Sequence, residues 1–241
     1  MWSQEKSMEE CLPSASSTGE ATHVVAEVMR SLADPSQPVL ADWDDARRTR
    51  ALVVLISICL AFFGLMLGLQ GGVAQALLTA LKLPLIWLGA AAISLPLLWL
   101  LSEPRAAEAD PKSVTVPVLQ ALASGSLAIC CLGPILPVVW LTLTEFNGGT
   151  LDASWFAYRR VFLAGLVVAL VGVVLVARSL LQRFQWPAVF AFGCTTGLAG
   201  LQLAWLLRPI VGAPGSGVVL FREVESNGLA QVLQALAAVL L

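Results

Sequence analysis

The sequence predicts an all-α fold, a polytopic transmembrane helix bundle of about five spans (about six in the alternative) with short interfacial helices. Two observations predict it. The charged residues are almost all confined to short connectors, and long apolar runs lie between those connectors. A lipid hydrocarbon core about 30 Å thick is crossed by about 20 apolar residues of helix. Runs of that character occupy residues 51–69, 83–101, 116–144, 161–177 and 187–207.

The composition of the chain indicates the same class. Hydrophobic residues make up 58% and charged residues 12% of the 241 residues, whereas about a quarter of the residues are charged in a soluble domain. The formal net charge of −2 indicates no particular soluble partner. The lipid bilayer is therefore the first partner that the sequence predicts.

The chain divides into three segments. Residues 1–49 form a polar, largely disordered N-terminal tail, 50–210 the transmembrane helical bundle, and 211–241 a loop plus a C-terminal amphipathic helix. The tail does not have the pattern of a signal peptide, because its first apolar run starts only at Ala51. Within the tail, Thr22–Leu32 carries one apolar helical stripe. A transient helix is the favoured interpretation, and a helix that docks a partner is the alternative.

Two stretches leave the number of spans open. The run 116–144 is long enough for one crossing or for two. Residues 229–241 are too few for an ordinary crossing, and they place Gln231 and Gln234 on one side of a helix with the leucines on the other. An amphipathic helix lying in the membrane interface fits that pattern better than a sixth span.

Basic residues in the short connectors predict the orientation of the bundle. The side that holds the excess of Lys and Arg is normally the cytoplasm. With five spans and a cytoplasmic N-terminus, seven basic residues lie inside and four lie outside. The inner residues are Arg47, Arg48, Arg50, Arg105, Lys112, Arg178 and Arg183, and the outer ones are Arg159, Arg160, Arg208 and Arg222. We therefore expect the N-terminus to be cytoplasmic.

A local pattern interrupts the spans three times. A Leu-Pro pair followed by two aliphatic residues and Trp occurs around Pro84, Pro96 and Pro137. Proline bends a helix because it removes a backbone hydrogen bond, and tryptophan anchors helices at the interface. Kinks with aromatic anchors are the favoured interpretation. Broken helices that line a solute path, as in transporters, are the alternative.

The residues before Pro84 place three polar side chains on one helical face. Gln75, Thr79 and Lys82 follow one another at spacings of four and three. We expect 73–82 to form a short interfacial helix that turns at Pro84 into the second span. Lys82 then snorkels to the lipid headgroups, with a buried ion pair as the alternative.

Two pairs of glycines four residues apart predict close helix packing. Gly64 and Gly68 lie in the first span, and Gly193 and Gly197 lie in the fifth. Small residues at this spacing let the backbone of another helix approach closely. Each pair is therefore a candidate for helix packing or for partner binding.

The end of the fifth span holds two further candidate residues, Gln202 and Arg208. Gln202 is an amide within an apolar run, and we expect it to face the bundle, where another helix can satisfy it. Arg208 marks the water boundary, and Pro209 stops the helix. We expect Arg208 to reach the headgroup layer.

This region also carries a resemblance. The block Gln202-Leu203-Ala204-Trp205-Leu206-Leu207-Arg208-Pro209, with Leu83-Pro84 and Leu95-Pro96 before it and Phe221-Arg222-Glu223 after it, resembles an uncharacterised family of bacterial multi-spanning membrane proteins. The likeness covers about residues 50–240. It implies the bacterial cytoplasmic (inner) membrane and no particular activity. In architecture alone, the five-span layout is similar to the Yip-type membrane proteins.

The sequence contains no catalytic, cofactor-binding or metal-binding pattern. The single histidine, His23, lies in the polar tail, which argues against a histidine metal site and against an intramembrane Ser–His protease. Every Asp lies outside the apolar runs, and patterns for phosphate loops and nucleic-acid binding are absent. The adjacent Cys130 and Cys131 are interpreted as small apolar packing residues.

These observations together predict a non-enzymatic integral membrane protein that acts as an assembly, scaffold or partner-docking component. Its expected partner is another protein or a second copy of itself, with no cofactor and no nucleic acid. The alternative is a small transporter or channel subunit with Pro-broken helices, in which Gln75, Lys82 and Gln202 line the path.

Overall fold

The computed structural model describes residues 17–33, 44–102, 112–146 and 151–207. Over these residues the protein is helical and contains no strand, which confirms the predicted all-α fold. The helices in chain order are α1 (Ser17–Ala33), α2 (Asp45–Gly68), α3 (Val73–Ser102), α4 (Lys112–Leu132), α5 (Ile135–Phe146), α6 (Leu151–Leu181) and α7 (Trp186–Leu206).

Five stretches of helix are long and apolar enough to cross a membrane. They are Asp45–Gly71, Val73–Ser102, Ser113–Leu143, Arg160–Leu181 and Trp186–Leu206, and each covers most or all of one predicted apolar run. The protein is therefore a multi-pass integral membrane protein. Helix α4 lies at the centre, where it packs against α2 and α6, while α3 packs between α2 and α7.

The α2–α3 connection is a tight hairpin that requires glycine. A single 3-10 turn (Leu69–Gly71) is followed by Gly72, whose φ is +96°. Residues with a Cβ rarely adopt that backbone conformation. The Gly72 carbonyl accepts a hydrogen bond of 2.9 Å from the Ala76 amide, which starts α3. We call the membrane side of this hairpin the Gly72 side and the opposite one the α1 side.

Helix α3 corrects the expectation of a separate interfacial helix over 73–82. It runs unbroken for 30 residues, with Pro84 and Pro96 inside it. Each proline removes only one backbone hydrogen bond, and packing against α2 and α7 holds the flanking turns in line. The broken-helix alternative therefore does not describe this span, because one helix continues through both prolines.

Helices α4 and α5 decide how often the run 116–144 crosses. A two-residue turn at Gly133 and Pro134 separates them, and the Gly133 amide still donates to the Ile129 carbonyl at 2.9 Å. Helix α5 goes on to pack against α6 and against the 3-10 turn on the Gly72 side. The run therefore crosses once, as a bent helix.

Helix α1 packs on the bundle. Val24 and Val28, one turn apart on the predicted stripe, are buried in the core that α2 and α4 also form. The structure therefore differs from the interpretation of Thr22–Leu32 as a transient helix, because two residues of its apolar stripe are covered by the bundle while Met29 stays half exposed. Helix α2 also begins at Asp45, before the predicted boundary at residue 50. The loop and amphipathic helix predicted for 211–241 lie outside the described residues.

Candidate functional site

A stripe of polar side chains on α3 is buried inside the bundle. Gln75, Thr79 and Lys82 have exposed fractions of 2%, 0% and 4%. We call these three residues the Lys82 stripe. They begin the buried face of α3, which continues one turn at a time through Ile86 and Ala90. The structure thus brings the three predicted residues onto one face, as their spacing indicates.

The position of Lys82 corrects the prediction that it snorkels. Because α3 is continuous, Lys82 lies about 14 Å along the helix from Val73 and not at the start of the span. Its side chain is covered by the bundle. Intramembrane ionisable residues are rare and usually face the bundle interior or a water-filled cavity, where they serve function. Lys82 is therefore the residue around which we define the candidate site.

The first predicted glycine pair packs against this stripe. A Cβ atom at Gly64 would lie 2.7 Å from the carbonyl oxygen of Thr79, and one at Gly68 would lie 2.6 Å from the Cα of Ala76. The Thr79 hydroxyl donates a hydrogen bond of 2.8 Å to the Gln75 carbonyl. The α2 backbone therefore approaches α3 closely here, and only glycine leaves room for that approach.

A second buried amide lies at the Gly72 end of α2. The Gln70 side chain is 9% exposed and donates through Nε2 to the Leu67 carbonyl at 3.1 Å. Its Oε1 is buried and has no hydrogen-bond partner. Sequence reasoning missed Gln70, although an amide at the end of an apolar run is the signal that could have found it.

Helix α7 does not bring Gln202 to the stripe, as the transporter alternative with Gln75, Lys82 and Gln202 on one path requires. Helix α7 contacts α3 through Leu203, whose Cδ1 lies 3.2 Å from where a Cβ on Gly89 would sit, and through Gly200 beside Ala90. Gln202 is half-buried and is turned about 100° from Leu203 around the helix axis, so it does not join the Lys82 stripe. Arg208 lies outside the described residues.

The second predicted glycine pair lines an open groove. Outside their own helix, no atom of the described residues lies within 4 Å of where a Cβ on Gly193 or Gly197 would sit, so the described part of the chain does not make the close packing expected at this pair. The groove has a volume of about 340 Å³ and lies between α6 and α7, and residues of α3 also line it. Its lining is apolar apart from Thr196, whose buried hydroxyl has no hydrogen-bond partner.

The closest contact between α4 and α6 uses glycines that sequence reasoning missed. A Cβ on Gly125 would lie 2.8 Å from the Gly172 carbonyl oxygen, and one on Gly172 would overlap the Ile129 side chain. Gly165, seven residues before Gly172 on the same helix, faces Leu67 of α2. Small residues seven apart share a helical face, and that spacing was the available signal.

Cysteines also meet across helices rather than along the chain. Cys130 of α4 packs against the core cluster that contains the buried Cys59 of α2, whereas sequence reasoning considered Cys130 with Cys131. Among the described residues, no three His, Cys, Asp or Glu side chains come together as a metal-binding group would require.

Comparison of the chain with protein-family models, with curated proteins and with solved structures finds no match. The resemblance of the Gln202–Pro209 block to a bacterial membrane protein family stays a prediction. Functional inference therefore rests on the geometry of the site itself.

Proposed function

We propose that the protein is a non-enzymatic component of the bacterial cytoplasmic membrane that assembles with a second copy of itself through α7. One observation carries the proposal. In the most apolar stretch of α7, only 11% of the residues are buried, whereas 28 to 44% are buried in the corresponding stretches of the other four spans. The exposed stripe Trp186, Phe190, Gly193 and Gly197, spaced by four, three and four, has no helix of the described chain on it.

The chemistry of this stripe favours a helix as its occupant. Glycines four residues apart let two helix backbones approach closely. Because lipid tails are as apolar as the helix surface, the hydrophobic effect does not drive helices together in a membrane, and close packing drives their association instead. The adjoining groove between α6 and α7 offers a recess for side chains of the incoming helix. The unpartnered Thr196 hydroxyl can donate across that interface.

A second copy fits this face better than a charged partner. Helix α7 carries no charged residue from Trp186 to Leu206, so two copies meet there without like-charge repulsion. A two-fold axis along the membrane normal places the same stripe of each copy against the other, which closes the assembly at a dimer. Both copies keep the same orientation in the bilayer.

The test is the mass of the protein in nanodiscs and in mild detergent, measured by native mass spectrometry. We expect a dimer for the wild type and a folded monomer for the Gly193→Leu/Gly197→Leu double variant, with an unchanged helix content by circular dichroism. Leu206→Phe adds bulk at an exposed position of α7 on the side of the helix opposite Gly197 and should remain a dimer. A monomeric wild type contradicts the proposal, and so does a double variant that remains a dimer. Co-purification of a different protein in place of a second copy also contradicts it, because the partner on α7 is then that protein.

One observation favours a second candidate function, a small transporter or channel subunit. The Lys82 stripe puts a lysine, an amide and a hydroxyl inside a membrane span, where path-lining residues of transporters lie. This function does not need broken helices, because the polar face belongs to the continuous α3.

Ion flux into liposomes tests this candidate independently of oligomeric mass. If the stripe lines a path, reconstituted wild-type protein conducts protons, chloride or potassium ions above the leak of empty liposomes, and Lys82→Met removes that flux. Leu81→Met, at an exposed position one residue away, should leave it unchanged. Equal flux in empty and protein-containing liposomes contradicts this candidate.

A further inference from the structure

One copy of the Leu-Pro motif, the one around Pro96, lies beside a cleft on the α1 side of the bundle. The cleft has a volume of about 240 Å³ and lies between the end of α3 and the start of α4. We call it the Trp99 cleft. It is lined by Ala92, Leu95, Pro96 and Trp99 of α3 and by Val114 and Thr115 of α4. It shares no lining residue with the groove between α6 and α7.

Trp99 brings a hydrogen-bond donor without an acceptor to this cleft. Its Nε1 is buried and has no hydrogen-bond partner among the described residues. An indole N–H can only donate, and a buried donor without an acceptor is costly. The tryptophans of the other two motif copies, Trp87 and Trp140, have no such orphaned nitrogen. The feature therefore belongs to this copy of the motif and not to the motif in general.

Pro96 leaves an acceptor on the same face of α3. In a regular helix the amide of residue 96 would donate to the Ala92 carbonyl, and proline has no amide hydrogen to give. Ala92, Pro96 and Trp99 follow one another at spacings of four and three, so they share one helical face. Helix carbonyls point toward the C-terminal end, whereas side chains lean toward the N-terminal end. The Ala92 carbonyl and the Trp99 indole therefore converge near Pro96.

The Trp99 cleft lies at the depth of the membrane interface. Trp99 is about 4.5 Å along the axis from Ser102, where α3 ends. Val114 lies equally close to Lys112, where α4 begins. Tryptophans of membrane proteins concentrate at this level. The oxygen groups of a lipid reach the same level while its chains stay in the hydrocarbon.

We propose that the Trp99 cleft binds the free hydroxyl of a neutral diacyl lipid of the diacylglycerol type. A hydroxyl oxygen accepts a hydrogen bond from the Trp99 indole and donates one to the Ala92 carbonyl, so a single group satisfies both. Trp99 Nε1 is covered in this structure, and the indole meets the hydroxyl by turning about its Cβ–Cγ bond, a torsion with broad minima.

The lining of the cleft selects a neutral lipid rather than a charged headgroup or water. None of the lining residues is charged, so a phosphate would meet no opposite charge there. One water needs about 10–15 Å³ of such space and about two to four polar partners, whereas this cleft is far larger and mostly apolar. A glyceryl group with the first carbons of its chains fills it. This assignment does not depend on the dimer formed through α7.

Two substitutions remove the two hydrogen bonds separately. The probe is dioleoylglycerol in phosphatidylcholine nanodiscs, with retained lipid counted by native mass spectrometry. Trp99→Phe removes the indole N–H, and Pro96→Ala supplies a backbone amide that competes for the Ala92 carbonyl. We expect each to weaken dioleoylglycerol binding about fivefold.

The other motif copy on α3 supplies the matched controls. Trp87→Phe and Pro84→Ala make the same chemical changes outside the Trp99 cleft and should leave dioleoylglycerol binding unchanged. All four variants should keep the helix content of the wild type by circular dichroism. Dioleoylglycerol retention at the wild-type level in both Trp99→Phe and Pro96→Ala overturns the site, and so does a wild type that retains no dioleoylglycerol.

Two further lipids test the chemistry of the ligand on the unaltered protein. The acetate ester of dioleoylglycerol keeps the acyl chains but has no free hydroxyl, and we expect it to bind about fivefold more weakly. Equal binding of the ester would mean that the cleft holds chains without recognising a hydroxyl, which contradicts the proposal. Phosphatidylglycerol that binds as tightly as dioleoylglycerol and depends equally on Trp99 would assign the cleft to an anionic headgroup and overturn the neutral lipid.

Discussion

Lys82 carries an ammonium group in a place where lipid would strongly disfavour it. At the centre of a membrane helix, a lysine costs about 2.5–3.5 kcal/mol on insertion scales. Burial inside the bundle, with Gln75 and Thr79 on the same face of α3, replaces lipid by polar neighbours. The Lys82 side chain, which is costly to insert into lipid, thus lies where other helices shield it. Such a position is typical of functional residues inside membranes.

Gly72 is the glycine whose backbone conformation can be tested without any steric change. Its φ of +96° is strained for other residues, yet apart from its two chain neighbours no atom of the described residues lies within 4 Å of where a Cβ would sit. We expect Gly72→Ala to lower the free energy of unfolding by about 1–3 kcal/mol, measured by thermal or denaturant unfolding in detergent. Gly71→Ala, within the preceding 3-10 turn, is the control and should change stability less. Equal effects of Gly72→Ala and Gly71→Ala would mean that a side chain at residue 72 does not strain the hairpin.

Helix α1 is held on the bundle by few side chains, and one of them can be isolated. Val28 is fully buried, whereas Met29 beside it is 50% exposed. We expect Val28→Ser to weaken docking by about 1.5–3 kcal/mol, and so to speed trypsin cleavage after the exposed Arg30. Met29→Ser should leave the cleavage rate unchanged. Cleavage that is equally fast in the wild type and in both variants would show that α1 does not dock.

The contact between α4 and α6 separates glycines that fold the chain from glycines that face outward. Gly172 faces Ile129 and the backbone of Gly125, whereas Gly193 faces open space. We expect Gly172→Leu to destabilise the monomer by about 3 kcal/mol or more through overpacking, seen as loss of folded protein in detergent chromatography. Gly193→Leu should leave the monomer folded. Comparable losses for the two variants would contradict this division of roles.

The helix order predicts which parts of the molecule share a membrane side. Successive spans cross in opposite directions, so α1 and the α6–α7 turn lie on one side and the α2–α3 hairpin lies on the other. The excess of basic residues in the inner connectors favours the cytoplasm for the α1 side.

Labelling of single cysteines tests this topology in a chain whose five native cysteines are replaced. In intact cells, we expect an impermeant maleimide to label a cysteine at Val73, which is exposed at the start of α3, but not one at Thr22 or Gln182. Inside-out vesicles should show the reverse. Labelling of Thr22 and Val73 from the same side would overturn the five-span arrangement.

Hydropathy along the chain is sufficient to predict the helical class and the five spans. Spans must be about 20 apolar residues long because the bilayer thickness is constant, and this constraint is local in sequence. The faces of short segments were predictable for the same reason. Gln75, Thr79 and Lys82 share a side, and Gly64 and Gly68 meet a neighbouring helix, because residues three and four apart on a helix are adjacent.

Which faces meet inside the bundle depends on helix rotation and on long-range contacts, which no local pattern contains. Lys82 is buried rather than snorkelling because α3 continues through Pro84 and packs between α2 and α7. The same spacing of glycines packs at Gly64 and stays open at Gly193, since among the described helices a neighbour lies against the first pair but not against the second.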